Sequence, residues 1–251
     1  MVGPMHEVFI IRKIIIKSSI WVKLFMDFSE VSTVLFDMDG TLVKSIFTNY
    51  ILPEAYRASS AEHRYTMEEF NELFLSLHRK RLPSVEAYDW DLIFNEMDVN
   101  ISTLSLFHKY RKKIKLHPDV LPVLDKLFDR FRLAVLTNSF KEFSDLKLKQ
   151  TGIAHYFEEI FNSDQVGYAK PNPKIFVHAL KEMRLKTNNV IYVGDISEMD
   201  VPGAKELGIA TVIVNRKGKT IPDKMKPTIE IKTLTELLNH LDVNQKFINN
   251  S

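Results

Sequence analysis

The chain of 251 residues contains no cysteine. It can therefore form no disulfide, no thiolate metal site and no cysteine nucleophile, and this composition fits a reducing cytoplasm. Long apolar runs are also missing, because Arg12, Lys13, Lys17 and Lys23 interrupt the apolar stretch over residues 8–25. No run approaches the ~20 residues of a membrane span, so we expect a cytoplasmic protein without stable membrane insertion.

A strong positive charge is absent from most of the chain. The formal net charge is +2, and residues 1–25 contribute +3 through four basic residues and Glu7. Residues 26–251 therefore carry a net charge of −1. A nearly neutral body disfavours nucleic acid as a partner, and the sequence indicates no particular oligomeric state.

Residues 1–25 form a basic and apolar N-terminal extension for which three interpretations stay open. The extension is an ordered extra strand or helix, a membrane-surface or partner-binding segment, or translated sequence upstream of a start at Met26. The third interpretation is kept because Met26 stands just ahead of a self-sufficient first strand.

Short β-branched runs alternate with helical patterns from Val31 onwards. The predicted strands are 33–37, 132–138, 158–163, 189–195 and 210–215, and the helices predicted among them are 119–130, 140–150, 173–185 and 201–207. Apolar strands separated by helices are typical of a parallel sheet that is covered on both faces. We therefore predict an α/β fold with a Rossmann-like parallel-sheet core.

No strand-like run occurs between the first two predicted strands. This stretch instead predicts four helices, at 48–58, 66–81, 84–97 and 102–116. Thr66 and Glu69 have the spacing of a capping box, and Ser84 and Ser102 are candidate N-caps. The predicted organisation is a core made of residues 26–44 and 118–251, with an all-helical cap inserted at residues 45–117.

Two aspartates, Asp37 and Asp39, stand where the first strand ends, in the segment LFDMDGTL. Ligands of parallel α/β sheets bind beyond the carboxyl ends of the strands. Two carboxylates two positions apart, followed by a glycine turn, can have different catalytic roles. One can attack the substrate or bind a metal while the other transfers protons. A turn with two solvated aspartates is the alternative interpretation of this motif alone.

Three later segments place polar residues at strand ends or in a stiff loop. Thr137 and Asn138 follow the second strand, where a hydroxyl and backbone N–H groups can hold phosphate oxygens. Lys170 precedes a proline and is presented from a stiff loop, although a solvated loop lysine is the alternative. Asp195 ends the strand 189–195 and Asp200 follows it, which suggests a metal or phosphate site, or else a capping aspartate.

These four motifs, in this order, resemble those of the haloacid dehalogenase superfamily. The resemblance is to its capped phosphatase branch, similar to phosphoglycolate phosphatases, in which a helical cap follows the first strand. It covers residues 31–232. It implies that Asp37 is a nucleophile that forms an aspartyl-phosphate, and that Asp39 is the general acid for the leaving alkoxide and then the base for water.

The resemblance also implies a phosphate site and a Mg²⁺ site. The residues that would bind the substrate phosphate are Thr137, Asn138 and Lys170. The groups that would bind Mg²⁺ are the Asp37 carboxylate, the Asp39 backbone carbonyl and Asp195. Asp200 would support them from behind or contact the metal through a water molecule.

Asp39 favours phosphate-ester chemistry, because the dehalogenases and phosphonate-cleaving relatives of this superfamily lack a carboxylate at its position. We expect a Mg²⁺-dependent hydrolase whose partner is a small-molecule phosphate monoester. The alternatives are a sugar-phosphate mutase, similar to β-phosphoglucomutase, and a binding protein without catalysis. Lys44 departs from the family pattern, since relatives often have an aspartate there, and this concerns the cap hinge rather than the catalytic residues.

Side chains of the cap give further expectations. The basic clusters at 78–81 and 111–115 are predicted to be solvated helix ends, favoured by the helix dipole, with a position facing the cleft as the alternative. Ser45 and Phe47 are candidate substrate contacts. The aromatic residues predicted first of all to pack helices together are Tyr88, Trp90 and Phe94.

Overall fold

The structure is a computed structural model, and it describes residues 28–59 and 65–241. The predicted extension over residues 1–25 lies outside these ranges, as do the last residues of the predicted core.

Within the described residues, six parallel strands form one sheet. They are β1 (Thr33–Phe36), β2 (Arg132–Thr137), β3 (Glu159–Asn162), β4 (Val190–Gly194), β5 (Ala210–Val214) and β6 (Ile229–Ile231). Their order is β3-β2-β1-β4-β5-β6, with every neighbouring pair parallel. This order is typical of doubly wound Rossmann-like sheets, and the predicted fold class is therefore confirmed.

The helices fall into two groups. Within the cap lie α1 (Leu52–Ser59), α2 (Met67–Arg81), α3 (Trp90–Glu96) and α4 (Thr103–Lys109). Around the sheet lie α5 (Val120–Phe128), α6 (Lys141–Thr151), α7 (Ser163–Val166), α8 (Pro173–Glu182), α9 (Ser197–Asp200), α10 (Pro202–Glu206) and α11 (Leu237–His240). None of the described helices is both long enough and apolar enough to span a membrane.

Both faces of the sheet are buried, as the continuous apolar strands predict. All four residues of β1 are buried, and their side chains alternate between two apolar clusters. Val34 and Phe36 join the cluster that also contains α5, whereas Leu35 joins the cluster that contains α8. Burial on both faces explains why these strands contain apolar runs instead of an alternating pattern.

The described part of the cap contains no strand, but two of its predicted helices are wrong in extent. The predicted helix 84–97 is a 3₁₀ turn and α3, separated at Asp89, whose side chain accepts from Leu92 N and so starts a new helix. The predicted helix 102–116 ends at Lys109 and is followed by a 3₁₀ turn at 111–113. The helical pattern of apolar residues continues across such breaks in the sequence. The backbone helix does not, because short polar side chains there act as caps that end one helix or start the next.

The predicted helix starts in the cap are confirmed. The Thr66 side chain accepts from Glu69 N, and the Glu69 side chain accepts from Thr66 N, so both halves of the capping box are formed. Ser84 and Ser102 likewise accept hydrogen bonds from backbone N–H groups in the turns that follow them.

Two adjacent segments connect the cap with the sheet. Lys44 N donates to Lys115 O at 2.8 Å, and His117 N donates to Leu42 O at 3.1 Å. The entry and exit of the cap therefore lie side by side, just beyond the carboxyl end of β1. This position brings the cap next to the strand ends where the sequence predicts the site.

Candidate active site

Asp37 and Asp195 lie at the point where the strand order of the sheet reverses. Asp37 follows β1 and Asp195 follows β4, and these two strands are neighbours. Asp37 N donates to Val193 O at 2.8 Å, which extends the pairing to the aspartate itself. The crevice at such a reversal is the usual ligand site of open α/β sheets.

Lys170 connects the aspartates of this edge. Its ammonium group donates to Asp37 Oδ1 and Asp200 Oδ1, both at 2.7 Å, and to the Tyr192 hydroxyl oxygen at 2.6 Å. The side chain is only 3% exposed. Asn138 fixes the lysine from the backbone, since Lys170 N donates to Asn138 Oδ1 and Asn138 Nδ2 donates to Lys170 O.

Asp200 has hydrogen-bond donors on both of its oxygens. Oδ1 accepts from Lys170 and from the Tyr192 hydroxyl, and Oδ2 accepts from the backbone N–H groups of Asp195 and Ile196, at 3.0 and 2.9 Å. A Cβ on Gly194 would lie 2.2 Å from Asp200 Oδ2, so only glycine fits there. Asp200 thus holds the loop that carries Asp195.

The carboxylates of Asp37, Asp195 and Asp200 offer oxygen atoms that lie within 4.8 Å of one another. Burial, together with the nearby carboxylates of Asp37 and Asp200, raises the pKa of Asp195 to about 8. Burial also raises the pKa of Asp37 to about 7, against the opposing effect of Lys170. Because a divalent cation would offset this repulsion, and because Mg²⁺ prefers hard oxygen ligands, the donor set fits Mg²⁺.

Lys170 stays charged in this environment. Burial alone would lower the pKa of the ammonium group, but the carboxylates of Asp200 and Asp37 outweigh that effect and hold the pKa above its ordinary value. The same burial and the same two carboxylates raise the pKa of the Tyr192 hydroxyl. The site therefore keeps one fixed positive charge beside Asp37.

Asp39 has a different cationic partner from Asp37. The Lys147 ammonium group donates to Asp39 Oδ2, and it also donates to Ser139 Oγ at 3.0 Å. Lys147 is only 4% exposed, while the Asp39 side chain is 33% exposed. The two aspartates of the first motif are therefore held separately, each by its own buried lysine.

A cavity of about 300 Å³ connects these groups. The core residues that line it include Asp37, Asp39, Thr137, Asn138, Lys147 and Lys170. Thr137 is buried at the end of β2, and its hydroxyl oxygen accepts from Ser139 N. Asp195 lines a second cavity of about 590 Å³, which meets the first at Asp39 and Ser45. All seven side chains that the sequence predicts for the site thus lie at one edge of the sheet.

Comparison with protein families decides which class of protein has this site. Residues 31–208 match the family model for haloacid dehalogenase-like hydrolases. The chain belongs to that family. The resemblance predicted from the sequence is thereby confirmed, and the protein is an enzyme of the hydrolase class.

Similar proteins within this family are phosphatases by name. The chain is 30% identical over 225 residues to the glyceraldehyde 3-phosphate phosphatase of Methanopyrus kandleri, covering 83% of this chain and 96% of that protein. It is 29% identical to the pyrophosphatase PpaX of Bacillus pumilus, covering 85% and 97%. A solved HAD phosphatase from Thermococcus onnurineus is 33% identical, with a TM-score of 0.74, covering 84% of this chain and 98% of that one.

Lys147 and Tyr192 are site residues of this hydrolase that the sequence analysis missed. A lysine within a helical pattern is expected to be solvated, and a tyrosine within an apolar strand is expected to be core. Lys147 nevertheless occupies the buried stripe of α6 together with Phe143 and Leu148. One lysine among the apolar positions of a helix is the signal that could have identified it.

The cap also supplies residues to the cavity. The predicted contacts Ser45 and Phe47 both line it, together with Tyr88 and Trp90, whereas Phe94 is fully buried among the helices. The basic cluster at 78–81 is divided, because His78 lines the cavity while Arg79 and Lys80 are exposed. Lys44 lines only the second cavity.

Proposed function

We propose that this hydrolase is a Mg²⁺-dependent phosphatase that hydrolyses a small phosphate monoester through an aspartyl-phosphate on Asp37. The observation that carries the proposal is the pair Asp37 and Asp39 at one cavity, each bound by its own buried lysine. Support also comes from the relatives, which are named for glyceraldehyde 3-phosphate and for pyrophosphate.

In the first step Asp37 attacks phosphorus and the ester oxygen leaves. Lys170 binds one oxygen of the Asp37 carboxylate, which keeps the group oriented at the cavity, and its positive charge offsets charge on the transferring phosphoryl group. Thr137 lines the same cavity, and we assign its hydroxyl to a phosphoryl oxygen. Asn138 acts mainly through Lys170, because its side-chain amide holds the Lys170 backbone.

Asp39 transfers the protons in both steps. It protonates the departing alkoxide and afterwards accepts a proton from the water that hydrolyses the aspartyl-phosphate. Its hydrogen bond from Lys147 leaves the carboxylate partly exposed to the cavity, where a leaving group or a water molecule can reach it. We therefore expect Lys147 to orient Asp39.

The groups that would hold Mg²⁺ are the carboxylates of Asp37 and Asp195 and the backbone carbonyl of Asp39. Bound there, Mg²⁺ supplies charge neutralisation for the phosphoryl oxygens. Asp200 is placed to steady this set instead of joining it, because donors already occupy both of its oxygens.

Residues 45–117 are proposed to act as a cap that excludes water from the reacting groups. The Tyr88 hydroxyl lies 3.4 Å from Met199 Sδ and so links the cap with the core across the cavity. On this division, residues 26–44 and 118–251 form the catalytic core.

A panel of phosphate esters tests the function, assayed with Mg²⁺ and with EDTA. It includes phosphoglycolate, a sugar phosphate, a nucleoside monophosphate and an aryl phosphate. Hydrolysis that EDTA abolishes and Mg²⁺ restores is the expected result. A rate of hydrolysis that EDTA leaves unchanged would refute the metal assignment. Isomerisation of the sugar phosphate without phosphate release would identify a mutase instead.

The role of Asp39 has its own test, in the dependence on leaving group. Asp39→Asn is expected to reduce kcat for an alkyl phosphate much more than for an aryl phosphate, because an aryl leaving group needs little protonation. Steady-state kinetics on both substrates measures the difference. Equal losses on the two would show that Asp39 is not the general acid.

A further inference from the structure

Tyr88 brings a side chain of the cap to the cavity of about 300 Å³ that also holds Asp37 and Lys170. Ser84 caps the 3₁₀ turn that contains Tyr88, and Asp89 caps α3, the helix that follows. Capping hydrogen bonds therefore fix the backbone on both sides of Tyr88.

Aromatic contacts fix the ring of Tyr88. It meets the His78 ring edge-on, with centroids 5.4 Å apart, and the Trp90 ring at 5.8 Å and an interplanar angle of 71°. Edge-to-face contacts of this kind are favourable, so the ring is held within the cap. Its hydroxyl group lies 3.4 Å from Met199 Sδ, on α9 of the core, and so faces the core across the cavity.

The acceptor of this hydroxyl group is a weak one. A thioether sulfur accepts hydrogen bonds poorly, whereas a charged phosphoryl oxygen accepts them strongly. The Tyr88 hydroxyl would therefore gain by exchanging Met199 Sδ for an oxygen of a phosphate ester in the same cavity.

Electrostatic effects on the Tyr88 hydroxyl come from the reacting end of the cavity. Burial raises the pKa of this hydroxyl, whereas the Lys170 charge and the Asn138 side chain lower it. The carboxylates of Asp200 and Asp37 raise the pKa as well. Because the effect of a charge falls with distance, the hydroxyl is close to these groups. With a raised pKa it keeps its proton at pH 7 and acts as a donor.

The N–H donors of Lys170 are all used within the protein. An ammonium group has three donors, and those of Lys170 go to Asp37, Tyr192 and Asp200. Lys170 therefore offers charge to a phosphoryl group without a free N–H. Because the transferring group carries charge on three oxygens, a further donor at this cavity would stabilise it.

We propose that Tyr88 is a catalytic residue supplied by the cap, and that its hydroxyl donates a hydrogen bond to an oxygen of the transferring phosphoryl group. The contact is with the phosphoryl group and not with the leaving group, since the hydroxyl lies at the end of the cavity that holds Asp37 and Lys170. The cap thus completes the phosphate site as well as covering it. This inference rests on the proposed phosphatase function.

Tyr88→Phe tests the contact, because it keeps the ring and removes only the hydroxyl. We expect kcat/KM to fall about tenfold, and to fall equally for phenyl phosphate and for an alkyl phosphate, since both share the phosphoryl group. Asp39→Asn differs, because its effect depends on the leaving group. An unchanged kcat/KM in Tyr88→Phe, or a loss confined to one of the two substrates, would overturn the proposal.

Two further variants separate this role from a purely structural one. Met199→Leu removes the sulfur acceptor and keeps the side chain apolar, so it should cost clearly less kcat/KM than Tyr88→Phe. An equal or larger loss would mean that Tyr88 acts by linking the cap to the core. The matched control is Tyr65→Phe, which removes the hydroxyl of an exposed tyrosine of the same cap and should leave kcat/KM unchanged.

Calorimetry with inorganic phosphate, in the presence of Mg²⁺, separates this inference from the proposed function. If no phosphate ester is hydrolysed, the phosphatase assignment fails, but phosphate binding to the wild-type protein can still be measured. A dissociation constant for phosphate that rises about fivefold or more in Tyr88→Phe, and not in Tyr65→Phe, would support the contact. An absence of phosphate binding to the wild-type protein, or binding that Tyr88→Phe leaves unchanged, would overturn it.

Discussion

Lys147 is the site residue that the sequence indicates least, because a lysine within a helical pattern is expected to be solvated. It is buried on α6, and its ammonium group binds the Asp39 carboxylate and Ser139 Oγ. Lys147→Met keeps the apolar stem and removes the charge, so Asp39 loses its orienting partner. We expect kcat for an alkyl phosphate to fall about tenfold or more, and kcat for an aryl phosphate to fall less.

The matched control for this prediction is Lys149→Met, which removes an exposed lysine of the same helix. It should leave both rates unchanged. An alkyl phosphatase activity that survives Lys147→Met undiminished would mean that Asp39 needs no cationic partner.

The raised pKa values of Asp37 and Asp195 lead to a prediction about stability. A carboxyl whose pKa is raised on folding binds its proton more tightly in the folded state, so its contribution to stability is lost as the pH rises through the folded pKa. The ordinary pKa is 3.8 and these values are about 7 and about 8, so the metal-free protein should lose this contribution to stability progressively as the pH rises from about 4 to about 8. Mg²⁺ should remove this loss, because it favours the ionised carboxylates.

Urea unfolding in EDTA and in Mg²⁺ across that range measures the effect. His78 and His117 have lowered pKa values, so they add stability as the pH rises towards 6.5 and oppose the loss there. Above about pH 7 both histidines are neutral in the folded and the unfolded state, so the contribution of Asp37 and Asp195 is measured between pH 7 and pH 8. Asp195→Asn should flatten the pH dependence and weaken the effect of Mg²⁺. Stability in EDTA that increases between about pH 7 and pH 8 would contradict the assignment.

Most of the site residues predicted from the sequence lie at or just after a strand end, whereas Lys170 lies in a loop and Asp200 in a short helix. Asp37, Thr137 and Asp195 follow buried strands, and the parallel sheet brings such positions to one edge whatever the intervening sequence. Lys147 and His78 come from helices, where the sequence alone does not decide which way a side chain faces. Their positions depend on how α6 and the cap pack.

At the scale of elements, the loop between β4 and α9 depends on close packing of Gly194 against Asp200. Gly194→Ala would place a Cβ 2.2 Å from Asp200 Oδ2, so the carboxylate has to move away from the amides of Asp195 and Ile196. We expect a loss of about 1–3 kcal/mol in the free energy of unfolding, measured in urea, and at least a tenfold loss in kcat.

Gly152→Ala is the control for this change. Gly152 has a φ of 72° and no atom within 4 Å of the added Cβ, so only backbone strain of about 1 kcal/mol should result, with kcat unchanged. If Gly194→Ala kept full activity, Asp200 would not be needed to position Asp195.

Predicted elements agree with the structure where local signals and packing coincide. The five predicted strands are present, as is the capping box that starts α2. β6 was not predicted, because a strand of three residues gives too short a pattern to distinguish from a turn. Two predicted helices of the cap are too long, because the cap residue Asp89 starts a new helix within 84–97 and because α4 ends at Lys109 within 102–116.

At the scale of the molecule, in the residues that the structure describes, one edge of the sheet carries the candidate site residues, and helices of the proposed cap line the same cavity. Residues 26–251 carry a net charge of −1, so the chain has no overall positive charge outside its N-terminal extension. The positive charge beside Asp37 and Asp39 comes from two buried side chains, Lys170 and Lys147. In the proposed function, these two lysines act beside the phosphoryl group, and the cap residues that line the cavity face the group attached to it.

The covalent role of Asp37 is the central claim, and the activity of Asp37→Asn tests it most directly. Asparagine keeps the size of the side chain and removes the nucleophilic carboxylate. With Mg²⁺ present and the fold verified by circular dichroism, we predict that kcat for phenyl phosphate falls by about 10³-fold or more. A folded Asp37→Asn protein that hydrolyses phenyl phosphate at the wild-type rate would contradict the account.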